Sequence, residues 1–343
     1  MHVRSAFPVP SARPQSGGAC SGLAFALAAG TALAASPAAA DIQVTATIKP
    51  IHALVAQVMA GVGEPTLLVK GTASPHTFAL KPSDAMALHH ADVVFRVSET
   101  VEPFTRKVVA SLPETVRVAT LADAPGIAWL PIRTSETFED HDHGHHAHDH
   151  DHGHDHEHDH DEHAHDERSA PRDGHVWLDP GNARKMVAEI ARVLSEADPA
   201  HAETFKANAA RADAAIRTLE DDLTRDLAPV KGKPYVVFHD AYQYFEHRFG
   251  LSPVGAITIN PEMQPSAKRL TEIRQKLVAL SASCIFSEPQ VQARLVATVT
   301  EGTNTRTGTL DPEGALVEPG PNAYDALLRN LASGLKTCLV QGS

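Results

Sequence analysis

From residue 42 onward the chain alternates two hydrophobic rhythms. "IQVTATI" (42–48) alternates apolar and polar positions with period two, which predicts a half-buried strand. "IHALVAQVMAG" then places Ile51, Leu54, Val55, Val58 and Met59 on one face of a helix that stops at Gly61. "PTLLVK" (65–70) reads as a buried strand, "PSDAMALHHA" (82–91) as a helix and "DVVFRV" (92–97) as a further strand. Strand, helix, strand, helix, strand implies right-handed parallel crossovers and hence an α/β lobe.

The second half repeats the grammar. "YVVF" (235–238), "VGAITI" (254–259), "CIFSE" (284–288) and "RTGTL" (306–310) read as strands, with helices predicted over "DAYQYFEHRFG" and "SAKRLTEIRQKLVAL". Between the halves, Phe205, Ala209, Ala212, Ile216, Leu219, Leu223 and Leu227 keep 3.6-residue spacing. Asp198 and Pro199 open that stretch and Pro229 with Gly232 close it. About thirty helical residues would form a rigid strut of roughly 45 Å. The fold class expected is therefore α/β, with two Rossmann-like lobes (41–198 and 230–343) on parallel sheets, joined by a backbone helix over 199–229.

The N-terminus bears on compartment. Arg4 and Arg13 precede the apolar run "GLAFALAAGTALAA" (22–35), and small residues follow at Ala38–Ala40. The run is shorter than the ~20 residues of a membrane span, so residues 1–40 read as a removed export signal rather than a retained anchor. The mature chain is expected to begin near Asp41, in the periplasm. Loss of Cys20 leaves Cys284 and Cys338, an even pair in an oxidising space. A disulfide is the favoured reading; two buried thiols or half of a metal site are the alternatives.

Charge singles out one segment. Of the 22 histidines, 13 fall within 141–167: His141, His143, His145, His146, His148, His150, His152, His154, His156, His158, His160, His163 and His165. Counting Glu139 and Asp140, the same segment holds 12 of the 42 acidic residues, so the other 30 match the 30 Lys and Arg. The net charge of −12 thus belongs to this segment, and no basic surface for nucleic acid is expected. A stretch without large apolar residues cannot offset its ordering entropy, which predicts a disordered loop over 139–168 within the first lobe. Its overlapping imidazoles predict several weak, fast-exchanging metal sites, an auxiliary to any ordered one.

Three histidines outside the loop sit in similar surroundings. His76 follows the strand at 65–70, His175 follows the His-rich segment in "RDGHVWLDP", and His239 ends the strand "YVVFH". Ligands of parallel α/β sheets bind at the carboxyl ends of strands, and three imidazoles there would leave zinc one open position. His52, His89, His90, His201 and His247 lie in helical stretches and are read as structural.

"GTASPHTFALKPSD", "GHVWLDP", "FHDAYQYFEHRFGL", "INPEMQPSAKRLTEI", "IFSEPQ" and "GTLDP" together resemble the zinc-specific, ZnuA-type metal-binding proteins of bacterial ABC importers. The motifs span the mature chain in the family's order, with the His/Asp-rich insertion between the first two. The resemblance implies metal in the cleft between the lobes, His76, His175 and His239 as its ligands, and Asp311 or water in fourth place. It implies a Cys284–Cys338 bridge. Pro75 and Ala256 depart from the family, which places an acidic residue before the first histidine in some members and an auxiliary-site histidine near 256 in others.

The function that follows is high-affinity capture of Zn²⁺ and its delivery to an inner-membrane ABC permease with its cytoplasmic ATPase. A monomer is expected, with a periplasmic zinc chaperone as a further partner, and no enzymatic activity. Two alternatives were weighed. A zinc hydrolase would need a general base, for which only Asp311 and Glu262 offer themselves, and no HExxH motif is present. A zinc buffer without a permease would depend on the loop.

Overall fold

The computed structural model describes residues 42–133, 138, 171–258, 265–279, 282–290 and 293–340. The expected export signal, the His/Asp-rich segment and Glu262 lie outside the described residues.

The first lobe follows the hydrophobic pattern. Strand β1 (Val44–Ala46) leads into helix α1 (Lys49–Met59), which has Pro50 in its first turn. A proline there gives up no helical hydrogen bond, so the strand ends early and the helix starts two residues before the expected run. Ile51, Leu54, Val55, Val58 and Met59 are all fully buried. Then come β2 (Thr66–Leu67), α2 (Pro82–His89), β3 (Val93–Arg96), the short α3 (Thr105–Val109) and β4 (Arg117–Thr120). The strands lie in the order β2-β1-β3-β4, all parallel.

Two helices cross between the lobes. Helix α4 (Pro180–Ala197) has Asp179 as its N-cap, accepting from Gly181 N at 2.6 Å, and buries Met186, Val187, Ile190 and Leu194. Helix α5 (Ala202–Leu227) is 26 residues long, about 39 Å at 1.5 Å per residue. It is shorter than the expected strut because three-residue 3₁₀ turns at Pro199–His201 and Ala228–Val230 occupy its ends. Asn208 interrupts its apolar stripe for a reason. Its buried amide donates to the carbonyls of Val58 (2.7 Å) and Ala60 (2.9 Å), which α1 leaves open at its C-terminus.

The second lobe comprises β5 (Tyr235–His239), α6 (Gln243–Phe249), β6 (Pro253–Thr258), α7 (Ala267–Ala279), β7 (Cys284–Ser287), α8 (Ala293–Thr300), β8 (Arg306–Thr309) and α9 (Ala323–Val340). Its order, β6-β5-β7-β8, repeats that of the first sheet, again all parallel. The expected two-lobe α/β architecture is thus present. One apolar cluster runs without a break from β1 and α1 through α4 and α5 to β5 and α9, so the lobes share a core rather than meeting at a hinge. None of the described helices is long and apolar enough to cross a membrane.

Cys284, which opens β7, is bonded to Cys338 on α9. The 54-residue separation is the quantity that matters for stability. In the chain-entropy account, closing a loop of this size stabilises the folded state by about 4 kcal/mol. Replacing both cysteines by serine should lower the unfolding free energy by that order, and urea unfolding of the two proteins measures it. A loss under about 1 kcal/mol would mean that the unfolded chain is not constrained by this link.

Candidate metal centre

His239 is the last residue of β5, the strand whose two neighbours, β6 and β7, lie on opposite sides of it. That is the topological switch point of the second sheet, where chain crossovers diverge and leave a crevice. His175 opens the 3₁₀ turn Val176–Leu178 just before α4. The segment 98–102 packs so tightly on its predecessor that a Cβ at Gly174 would stand 2.6 Å from Val101 Cγ2. Only glycine allows that approach. His76 lies in the connection between β2 and α2, half-buried, whereas His175 and His239 are buried.

Residues between 64 and 163 positions apart converge. The imidazole centroids are 5.3 Å apart for His76 and His175, 5.7 Å for His76 and His239, and 5.4 Å for His175 and His239. One nitrogen from each lies within 4.8 Å of the other two. Nε2 of His76 and Nε2 of His175 are 3.3 Å apart. A tetrahedral ion with metal–nitrogen bonds of about 2.0–2.1 Å needs a nitrogen–nitrogen edge of about 3.3–3.4 Å. This pair already has it.

Carboxylates behind the rings decide which nitrogens face inward. Asp173 Oδ1 accepts from His175 Nδ1 (2.7 Å) and from its backbone N–H (3.0 Å). Glu288 Oε1 accepts from His239 Nδ1 at 2.5 Å and from the Tyr242 hydroxyl at 3.3 Å. Each carboxylate fixes the proton on Nδ1, so the Nε2 lone pair is free and more basic. Buried Nε2 of His239 has no hydrogen-bond partner among the described residues, as a nitrogen waiting for a cation should.

Protonation follows from the same surroundings. Burial, joined by the neighbouring His175 and His239, pushes the His76 pKa down to about 2, so its ring is neutral at any ordinary pH. For His239 burial is the largest influence and lowers the pKa. The charge and hydrogen bond of Glu288 outweigh it, and the net shift is upward.

Asp311 lies outside the converging group. Its carboxylate oxygens accept from the backbone N–H groups of Glu313 (3.3 Å) and Leu316 (3.1 Å), which ties it to its own turn. Among the other histidines, buried His52 holds the Pro65 carbonyl (3.0 Å) and His201 the Asp198 carboxylate (2.6 Å), as structural histidines do. Sequence reasoning assigned no role to Asp173, Tyr242 or Glu288. Asp173 could have been found as an acid two residues before a ligand. Glu288 needs the register: Tyr235 pairs with Cys284 in parallel, and four residues on His239 comes level with Glu288.

Because metal requires the Nε2 lone pair, binding must displace the Nε2 proton of the imidazolium form of His239, a form that Glu288 favours from the Nδ1 side. In the metal-free protein that charged pair contributes stability fully present below about pH 6.5 and lost as pH rises through the raised pKa. Proton release on metal binding should therefore fade as pH climbs through the same range. Glu288→Gln should reduce the release near neutral pH and weaken binding about 10–100-fold. Calorimetry in buffers of differing ionisation enthalpy measures both, and unchanged proton release would reject the role given to Glu288.

Comparison with known proteins places the chain in a family. Residues 44–338 match the family model for ZnuA, described as zinc-uptake complex component A, periplasmic. The chain is 47% identical over 304 residues to the high-affinity zinc uptake system protein ZnuA of Brucella abortus, covering 86% of this chain and 91% of that protein. It is 41% identical to the protein of the same name from Paracoccus denitrificans, covering 93% and 98%. Among solved structures, a ZnuA crystal structure superposes with a TM-score of 0.69 at 20% identity, covering 88% of this chain and all of that one. The Zn(II)-bound ZnuA-like domain of Streptococcus pneumoniae AdcA superposes at 0.65 and 22%, with the same coverage, which bears on the fold alone. Matched along nearly all of its described length, the chain belongs to the ZnuA family of periplasmic zinc-uptake components.

Proposed function

We propose that this protein captures Zn²⁺ in the periplasm at His76, His175 and His239 and delivers it to an inner-membrane ABC permease driven by a cytoplasmic ATPase. The observation that carries the reading is the convergence of three imidazole nitrogens within 4.8 Å, one of them a buried Nε2 without a partner. Neutral imidazole suits zinc, whereas harder cations such as Mn²⁺ favour carboxylate and water. Three protein nitrogens leave a fourth position for water, with Asp311 as the nearest alternative proposed from the sequence.

The same site is poorly equipped for hydrolysis. Its adjoining carboxylates, Asp173 and Glu288, are committed to orienting His175 and His239. Neither is poised as a general base on a metal-bound water. Transport without chemistry is the reading that fits, and the protein acts as a monomer. Residues 1–40 serve as an export signal that is then removed, with the mature chain starting near Asp41. The segment 139–168 then serves as a weak, fast antenna that raises the local zinc supply, and a periplasmic zinc chaperone is a second source.

Titration of the mature protein with Zn²⁺, with and without residues 141–167, tests the division of labour. One tight site should survive the deletion while the weaker sites vanish. Each of His76→Ala, His175→Ala and His239→Ala should then abolish the tight site, and His247→Ala should leave it unchanged. A deleted protein that binds no zinc below micromolar concentrations would refute the assignment to the three histidines and favour a buffer built on the loop.

A further inference from the structure

Beyond the imidazoles and their carboxylates, the metal centre has a support that nothing above assigns. Pro131 and Arg172 form an antiparallel bridge, Ile132 N donates to Pro171 O (2.9 Å) and Asp173 N donates to Leu130 O (3.0 Å). These two short segments form a stem that brackets the His/Asp-rich segment in sequence. Tyr244 of α6 pins the stem to the second lobe. Its hydroxyl donates to Asp173 O (2.8 Å) and accepts from Leu130 N (3.0 Å).

Arg133 stands at the edge of the stem. Its Nη1 donates to Asp240 Oδ1 (2.7 Å) and to Glu246 Oε2 (2.9 Å), and its guanidinium lies 4.1 Å from the centroid of the Phe138 ring. Both carboxylate side chains are almost wholly buried, with 5% and 2% exposure. Glu246 also accepts from the Tyr235 hydroxyl at 3.2 Å. Asp240 directly follows His239. Two buried carboxylates that share one cation would be left mutually repulsive and undercompensated without it, and a buried charge stripped of its partner is strongly unfavourable. Relief would come by turning Asp240 toward solvent. That shift would fall on the residue next to His239, at a tight turn in which Ala241 N donates to the His239 carbonyl at 2.9 Å.

The two ends of the stem thus reach two different ligands. Asp173 orients His175, and Arg133 holds the residue after His239. We infer that Arg133 is a positioning residue of the metal centre: through Asp240 and Glu246 it fixes the end of β5, and so the Nε2 of His239, relative to the His175 carried on the other strand of the stem. The inference rests on reading the three histidines as the zinc site.

The test uses the full mature chain. Arg133→Gln, Arg133→Lys, His239→Ala and Arg184→Gln are compared with the wild type. Arg184 pairs with Asp213, away from the histidines, and serves as the control. The measurements are Zn²⁺ affinity by chelator competition, the rate of Zn²⁺ release into excess chelator, and the visible absorption of the Co²⁺-loaded protein. Arg133→Gln should bind zinc about 10–100-fold more weakly, chiefly through faster release, with altered cobalt bands. Lysine keeps the charge, but its Nζ reaches one bond less far than Nη1 and it lacks the planar group that lies over Phe138, so Arg133→Lys should fall between wild type and Arg133→Gln. Arg184→Gln should match wild type throughout. A folded Arg133→Gln protein with wild-type affinity, release rate and cobalt spectrum would overturn the inference. If Arg133→Gln does not fold, Arg133→Lys decides: weaker zinc binding with altered cobalt bands supports the inference, and wild-type behaviour overturns it. If His239→Ala also binds like wild type, the reading of the histidines fails; if His239→Ala loses zinc while the Arg133 variants do not, only this inference fails.

Discussion

Nitrogen lone pairs aimed at one another repel unless a cation stands between them, and this fold is organised to hold three such lone pairs in place. The opposing force is supplied behind the rings. Asp173 and Glu288 each take the Nδ1 proton of an imidazole, which commits the Nε2 side to the centre. For His239 the arrangement leaves a fully desolvated nitrogen without a hydrogen bond. Such an atom is unfavourable by a few kcal/mol in a protein interior. The metal-free site is therefore strained toward binding, and the shared core is what keeps it from relaxing.

That core explains why the site can be built from segments so distant in sequence. Helix α5 lays its apolar stripe against α1, α4 and α9, two of which belong to different lobes. Polar clasps reinforce it. Buried Lys49 at the start of α1 donates to the carbonyls of Gly314 (2.6 Å) and Ala315 (2.8 Å) in the second lobe. The Trp177 indole donates to Pro312 O at 2.9 Å, and the Tyr324 hydroxyl to Trp177 O at 2.8 Å. Arg248 of α6 grips Asp179, the N-cap of α4, with two hydrogen bonds of 2.7–2.8 Å. The position of His239 relative to His175 is thereby set by packing and not by the metal.

How much of this was legible depends on the range of the interaction. Most strands and helices and the α5 stripe follow from local periodicity, but β2 shrinks from the expected 65–70 to Thr66–Leu67, α6 starts only at Gln243, and β4 was not expected. The two long helices α4 and α9 carry equally periodic apolar faces that the strand–helix reading passed over. The three converging histidines stand after strands or turns in the sequence, and the family resemblance ranks them above His52 and His201. Glu288 and Arg133 were invisible for a different reason. One acts through the register of β5 with β7, the other through a contact over 107 residues. Neither relation leaves a local trace in the chain.

The three converging histidines are not held equally. His175 is tied by two hydrogen bonds to Asp173, and His239 ends a central strand with Glu288 behind it. His76 sits half-buried on a connection, its backbone N–H reaching only Ser74 Oγ at 3.4 Å. To separate His175 from His239 a partner would have to break the clasps of α6 and part a continuous apolar core, at a cost comparable to a large share of a domain's stability. Moving the connection that carries His76 breaks fewer polar ties, although Phe78 on it packs against Phe104 with ring centroids 5.0 Å apart. A cluster of this construction is held more firmly at His175 and His239 than at His76, so the side that a partner could move at least cost is the one His76 occupies.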